Sequence, residues 1–183
     1  MMPNGSLITK KVIAYSFKNL LKQTDFQKIS VKEIMTAADY RRQTFYDYFT
    51  DKYDLLTWIY HQELTETVTD FIGYEHWTAI IHRLLVHFQK NQPYYQKVLY
   101  LPPPVAFDDL VLPHCQELVA VIVADTAGRP YTDPLVKEQQ IKFLAYALKG
   151  TIKDWLASNC KEDLTQIESA LSQNLNHFCG KAV

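Results

Sequence analysis

The sequence predicts an all-α protein of about nine helices, and three observations support this prediction. Apolar residues recur along most of the chain at the three-to-four-residue spacing of an amphipathic helix. The most regular stripe consists of Trp77, Ile80, Ile81, Leu84, Leu85 and Phe88. No stretch alternates apolar and polar residues as a half-buried strand does. Prolines at positions 93, 102–104 and 134 separate helical segments, because proline cannot continue a preceding helix.

The N-terminal part is expected to form three short helices, of which the first runs from about residue 7 to 24. Its buried side carries Ile13, Phe17, Leu20 and Leu21. The second helix begins at Ser30, because Ser30 and Glu33 form the S-x-x-E pattern of a capping box. The turn after it falls near Asp39, since Asp tolerates the left-handed backbone conformation that such a turn usually needs.

The third helix, roughly residues 41–49, has an unusual composition. Only Phe45 and Phe49 can anchor it, and they are spaced i, i+4 on one face. The other positions are polar or amphipathic and include Arg41, Arg42, Gln43, Thr44, Tyr46 and Tyr48. With Phe45 and Phe49 filling the inward positions, Tyr46 and Tyr48 are expected to be exposed. A short helix with two aromatic anchors and polar residues elsewhere is typical of the recognition helix in a helix-turn-helix unit.

The remaining helices follow in order. A long helix is capped by Asp51 or Thr50 and runs to about residue 72, so that it belongs to both halves of the chain. We therefore predict a helix-turn-helix DNA-binding domain at 1–51 and a helical effector-binding and dimerisation domain at 52–183. Further helices are expected after residue 77, at 94–101, up to about 124, at 134–159 and at 163–178, with a loop at 125–133.

Composition favours a cytoplasmic protein. Hydrophobic residues make up 48% of the 183 residues, which is enough for a continuous core. The longest purely apolar run, 118–124, is far shorter than the roughly 18 residues of a membrane-spanning helix. The three cysteines, Cys115, Cys160 and Cys179, are widely spaced and lack a C-x-x-C pattern, so reduced thiols are expected.

The net charge of −1 conceals an uneven distribution. Residues 1–55 carry nine Lys and Arg against six Asp and Glu, whereas the remaining residues carry ten and fourteen. A mildly basic N-terminal third on an acidic remainder suits a protein that binds DNA through its N-terminal helices.

The stretch SVKEIMTAADYRRQTFYDYFTDKYDLL resembles the helix-turn-helix of the tetracycline-repressor (TetR) family of bacterial regulators. The family's closing pattern, Y-x-x-F-x-x-K-x-x-L-L, is supplied by Tyr46, Phe49, Lys52, Leu55 and Leu56. Two positions depart from the family pattern, because Asp39 stands where a turn glycine is usual and Arg41 where a small capping residue is usual. The segment YEHWTAIIHRLLVHFQKNQPYYQKVL also resembles the subgroup that contains the dihydroxyacetone-kinase operon activators.

The resemblance implies a homodimer that binds a palindromic operator in double-stranded DNA, with one recognition helix in each of two successive major grooves. The implied base contacts are Arg42, Gln43, Thr44 and Tyr48. The implied phosphate contacts are Ser30, Tyr46 and Lys52. Arg41 is interpreted as part of the same DNA-binding surface. Arg can bind guanine bidentately, Gln can do so with adenine, and Thr can contact the thymine methyl group.

For the C-terminal half, the resemblance implies a pair of dimerising helices, and two kinds of effector remain open. The implied dimer interface consists of Leu148, Ile152, Trp155, Leu171 and Phe178. Residues that could line an effector pocket, or equally form aromatic core, are Trp58, His61, Trp77, Tyr95 and Tyr146. The effector is either a small molecule or, as in the activator subgroup, a separate kinase-like sensor protein. Repression and activation are both open.

Neither a metal site nor an enzyme active site is expected, and no cofactor is expected. His76, His82 and His87 are spaced by six and five residues, so no two share a helix face as i, i+4 ligands would. The aspartate pairs Asp108–Asp109 and Asp125–Asp133 fall near Pro or Gly, where Asp commonly forms turns. The sequence also lacks a G-x-S-x-G motif and a glycine-rich phosphate loop.

Overall fold

The computed structural model describes residues 4–126 and 133–179, apart from the side chains of residues 4 and 5. Within these residues the protein is all-α, with nine α-helices and no strand, which confirms the predicted fold class. The helices are α1 (Asn4–Gln23), α2 (Val31–Ala37), α3 (Arg42–Tyr46), α4 (Lys52–Thr67), α5 (Trp77–Lys90), α6 (Gln92–Val98), α7 (Phe107–Thr126), α8 (Pro134–Ala157) and α9 (Leu164–Cys179).

The first three helices form the N-terminal head. The capping box at the start of α2 is confirmed, since the side chain of Ser30 accepts a hydrogen bond from the Glu33 amide and the Glu33 carboxylate accepts one from the Ser30 amide. Asp39 adopts the left-handed conformation that we predicted, with φ of 58°. Helix α3 is shorter than predicted, because Asp47 ends it as the C-cap residue.

Helix α4 joins the head to the remaining helices, which we call the body. Asp51 caps α4 by accepting hydrogen bonds from the amides of Tyr53 and Asp54 at 2.8 and 2.9 Å. The helix ends at Thr67 rather than near residue 72, and a single 3₁₀ turn, Thr69–Phe71, follows it. The predicted domain boundary after residue 51 coincides with the N-cap of α4 and remains a prediction.

The body packs around an aromatic centre. The rings of Tyr60, Phe88, Tyr95 and Phe107 are buried and lie 4.7–6.3 Å apart in edge-to-face or tilted pairs. Helix α6 begins two residues earlier than predicted, because Pro93 is accepted in its first turn, where the missing N–H has no helical partner. Most of the predicted 125–133 loop lies outside the described residues. None of the described helices is long and apolar enough to cross a membrane.

Candidate nucleic-acid interface and its link to the body

Helix α3 presents one polar face to solvent. Phe45 and Phe49 are buried at 0 and 3% exposure and hold the helix on the head. Arg41, Arg42 and Gln43 are exposed. Arg41 occupies the N-cap position without a side-chain capping bond, so its guanidinium group does not serve the helix start. A surface with two adjacent arginines and an amide can contact phosphates and base edges.

Arg42 and Tyr46 form a pair one helical turn apart on this face. The Arg42 guanidinium donates a hydrogen bond to the Tyr46 hydroxyl at 3.2 Å and lies 5.8 Å from the centre of its ring. Tyr46 is exposed, as predicted, whereas Tyr48 and Thr44 are half-buried. Tyr48 is less exposed than predicted, because its ring packs against the edge of the core.

Ser30 lies at the start of α2, where it acts as the N-cap residue. Its hydroxyl donates to Glu33 Oε2 at 2.7 Å and accepts from the Glu33 amide at 3.3 Å. The hydrogen bonds from the side chain and backbone of Ser30 hold the pKa of Glu33 below its usual value. Ser30 is nevertheless exposed.

Lys52 makes its hydrogen bonds within the head. Its ammonium group donates to the carbonyl oxygens of Phe26, Gln27 and Ile29 at 2.8, 3.1 and 2.9 Å, which occupies its three hydrogens. It also lies 4.7 Å from the centre of the Phe26 ring. Desolvation lowers the pKa of Lys52, and the negative charge of Glu33 opposes this shift. Lys52 therefore fastens α4 to the segment before α2, and its predicted phosphate contact stays a prediction.

A second connection between head and body was not foreseen from the sequence. Lys18 of α1 donates to Glu63 Oε1 of α4 at 2.6 Å and to Asn91 Oδ1 at 2.9 Å. The other oxygen of Glu63 lies 3.4 Å from both His87 Nε2 and the Tyr95 hydroxyl, which are themselves 2.8 Å apart. The side chains of Lys18 and Glu63 are only 12 and 23% exposed. We call these five residues the junction network.

The five predicted effector-pocket residues do not line one cavity. Trp77 and Tyr95 are buried in the core at 5 and 0% exposure, so the core alternative holds for them. Tyr146 is 54% exposed on α8, and His61 is an exposed residue whose ring lies 5.6 Å from that of His114. Trp58 is half-buried and lines a groove between α1 and α4. The grouping of these residues into one pocket is therefore wrong.

The predicted dimer residues divide into two groups. Ile152 and Trp155 are buried inside the protein, and the Trp155 indole donates to the Glu162 carbonyl at 2.9 Å, so neither can face a partner. Leu148 and Leu171 are nearly buried and form part of an apolar groove of about 360 Å³ between α8 and α9. Phe178 is 50% exposed on the same groove.

Sequence reasoning missed the exposed residues of this groove. Phe143 is 68% exposed, and Ala147 and Ala170 are also exposed. The spacing of Phe143 and Ala147 at i, i+4 could have revealed a second apolar stripe on α8, beside the stripe that packs into the core. We call Phe143, Ala147, Ala170 and Phe178 the α8–α9 face.

The histidines that raised the question of a metal site lie in separate places. His76 pairs with Thr78 and Asp125, His82 with Glu168, and His87 belongs to the junction network. Asp108 pairs with Lys149 and Lys153 of α8, which accounts for its charge without a catalytic role.

Comparison with known proteins decides the family. Residues 18–57 match the model for bacterial regulatory proteins of the tetR family, and residues 75–177 match a model for a transcriptional regulator C-terminal region. The chain belongs to the TetR family. Both matched models describe regulators, and together they cover α2, α3 and the end of α1 in the head and most of the body of this TetR-family chain.

Individual relatives point to one branch of the TetR family. The HTH-type dhaKLM operon transcriptional activator DhaS of Lactococcus lactis is 40% identical over 96 residues. The match covers 52% of this chain and about half, 51%, of that activator. A solved structure of a dihydroxyacetone kinase operon activator DhaS is 27% identical with a TM-score of 0.80, covering 92% of this chain and 94% of that one. A TetR regulator from Streptococcus agalactiae has the same fold, with a TM-score of 0.69 at 20% identity over 93% of this chain and 95% of that one.

Proposed function

We propose that this TetR-family protein is a homodimeric regulator that binds a palindromic DNA operator through the exposed face of α3. The observation that carries the proposal is the Arg42–Tyr46 pair, which holds a guanidinium group on that face beside Arg41 and Gln43. A side chain that is already ordered loses less conformational entropy when it binds. Binding to chromosomal DNA would place the protein in the cytoplasm.

The proposed roles follow from the geometry of each side chain. Arg42 and Gln43 are exposed and can form bidentate hydrogen bonds with base edges. Thr44 and Tyr48 are half-buried and add further contacts to bases. Arg41 and Tyr46 are assigned to phosphates, since they flank the base-reading residues. Lys52 is omitted because its hydrogens are used within the head.

Operator binding would be tested by fluorescence anisotropy with the DNA upstream of the protein's own gene. The binding constant should fall steeply as salt rises, because phosphate contacts release counterions. Arg42→Ala should weaken binding by about 1–3 kcal/mol at one base position, whereas Arg83→Ala, which changes an arginine on α5, should leave it unchanged. A salt-insensitive interaction, or full affinity in Arg42→Ala, would disprove the assignment.

The α8–α9 face supports the proposed homodimer. Two copies related by a two-fold axis would bury Phe143 and Phe178, which otherwise expose apolar surface to water. Binding to successive major grooves requires the two α3 helices of the dimer to lie about 34–36 Å apart. Phe143→Glu should yield a monomer in sedimentation and weaken operator binding together. A wild-type protein that sediments as a monomer at micromolar concentration would contradict this part of the proposal.

The aromatic centre of the body favours a second candidate for the control of DNA binding. Tyr60, Phe88, Tyr95 and Phe107 fill the space among α4, α5, α6 and α7 with ring contacts. A separate sensor protein that docks on the body and makes this chain an activator agrees with this packing and with the similarity to the dihydroxyacetone kinase operon activator. Thermal-shift measurements separate the candidates: stabilisation by a small molecule alone favours an effector, and stabilisation only by a protein favours docking.

A further inference from the structure

A groove of about 270 Å³ lies between α1 and α4. Tyr15 and Trp58 line it with aromatic surface, and Lys18 and Glu63 of the junction network also line it. Its volume is slightly below the usual range of small-molecule sites, about 300–1,000 Å³, and suits a ligand of one or two rings.

The aromatic residues of the groove have surface that the fold does not use. Tyr15 is 69% exposed although it follows directly on the buried Ala14. Trp58 is half-buried, and its ring is held by contacts with Phe49 at 5.7 Å and with Lys10 at 5.6 Å. A fixed indole and an exposed phenol provide faces on which a flat ring can stack.

The charges in the groove leave one positive charge unbalanced. Lys11 pairs with Glu66, and Lys18 pairs with Glu63, each at 2.6 Å. Within the described residues, Lys22 has only the amide oxygen of Asn19 as a partner, at 3.1 Å. The groove therefore has three ammonium groups but only two carboxylates. A ligand with one negative charge would balance the remaining positive charge.

We propose that this groove binds a small planar aromatic carboxylate, whose ring stacks on Trp58 and Tyr15 while its carboxylate pairs with Lys22. The ligand would contact α1 of the head and α4 at once, directly beside the Lys18–Glu63 pair. It would therefore favour one arrangement of head and body over others. This consequence for DNA affinity rests on the proposed function, whereas the binding itself does not.

Isothermal titration calorimetry of the full chain without DNA would test the binding, with benzoate, cinnamate and naphthoate as probes. At least one should bind, and its amide should bind more weakly, because the amide lacks the charge. Cyclohexanecarboxylate keeps the charge and loses the flat ring, so it should also bind more weakly than benzoate. Lys22→Gln should weaken binding about fivefold, and Lys161→Gln, at an exposed lysine that does not line the groove, should not change it.

Three outcomes would overturn the proposal: no heat from any of the three carboxylates at millimolar concentration, equal binding of acid and amide, or unchanged binding in Lys22→Gln. The proposed function is tested by a separate measurement. If it is wrong, the ligand-free protein does not bind operator DNA, whether or not the carboxylates bind. Trp58→Phe retains a ring, so it should bind the same probes while losing the fluorescence change that they cause at Trp58. A fluorescence change that persists in Trp58→Phe would place the ligand at another site and contradict the proposal.

Discussion

The two halves of α4 are attached to the head by lysines that are held in different ways. At the start of α4, Lys52 binds three backbone carbonyls. Further along α4, Glu63 accepts a hydrogen bond from Lys18 of α1, and its second oxygen lies beside His87 and Tyr95. The first attachment uses fixed peptide dipoles, and the second uses groups that can gain or lose protons.

Because of this difference, we expect one attachment to stay fixed and the other to change when head and body move. Peptide carbonyls cannot change their charge, so the Lys52 attachment should hold the start of α4 on the head under all ordinary conditions. The junction network joins α1, α4, α5 and α6 through charged side chains, and a change in any one of them alters the others. We infer that movement between head and body involves the junction network rather than the start of α4.

The largest expected effect comes from breaking the charged pair of the junction network. Glu63→Gln leaves Lys18, which is 12% exposed, without a carboxylate, and should lower the free energy of unfolding by about 2–4 kcal/mol. The Lys11–Glu66 pair joins the same two helices at the same 2.6 Å distance but is 48 and 43% exposed. Glu66→Gln should therefore cost less than about 1 kcal/mol in the same urea titration.

Two results would contradict this interpretation. If Glu63→Gln and Glu66→Gln cost the same, burial would not distinguish the two pairs. If the double variant Lys18→Met/Glu63→Gln lost as much as the sum of the single variants, the two side chains would not act as a pair.

The next effect in size concerns the other attachment. Lys52→Met keeps most of the side-chain stem but removes three hydrogen-bond donors, and should destabilise the protein by about 1–3 kcal/mol. Lys32→Met, at an exposed lysine of α2, is the matched control and should stay within about 0.5 kcal/mol of wild type. If Lys52→Met kept its stability but bound DNA more weakly, Lys52 would be a phosphate contact, as the sequence alone predicted.

Local chemistry explains what the sequence predicted correctly. The cap at Ser30, the turn at Asp39 and the cap at Asp51 each depend on residues within five positions of one another, and all three were confirmed. The regular stripe of α5 was confirmed as well, since all six of its residues are buried. The family followed from the same short stretch, because its motif lies within 27 residues.

Contacts between distant residues explain what the sequence did not predict. Lys18, Glu63 and His87 are separated by 45 and 24 positions, and each resembles an ordinary polar surface residue in its own helix. The resemblance implies dimer residues on α8, but one helix can carry two apolar stripes, and periodicity does not say which of them faces the core. Ile152 and Trp155 belong to the inner stripe, and Phe143 and Ala147 to the outer one.

A smaller effect is expected in acid at the junction network. Burial alone would raise the pKa of Glu63, but its hydrogen bond with His87 and the charge of Lys18 outweigh burial and lower it below the ordinary 4.5. Because the unfolded chain binds the proton first, the stability from Glu63 is present above pH 4.5 and is lost as pH falls through the lowered pKa. Urea titrations from pH 7 to about pH 3 should therefore show that wild type and Glu63→Gln differ less in free energy of unfolding as the pH falls.

Lys52→Met should lower the free energy of unfolding by the same amount at every pH in this range. Because the nearby Glu33 titrates in acid, this comparison is made with Glu33→Gln present in both proteins. A difference for Lys52→Met that also shrank in acid would mean that the two attachments do not differ in the way proposed.

The smallest expected effect concerns Ser30, which follows Ile29, a carbonyl partner of Lys52. Two substitutions at Ser30 distinguish a capping role from a DNA-binding role. Ser30→Ala should cost about 1 kcal/mol, because the amide of Glu33 loses its acceptor, whereas Ser30→Gly should cost only a few tenths. If capping is the only role of Ser30, DNA affinity in Ser30→Gly should equal that of wild type. A Ser30→Gly variant that keeps its stability but binds DNA less tightly, with a shallower dependence on salt, would assign the hydroxyl to a phosphate. The head would then contact the DNA backbone through α2 as well as α3.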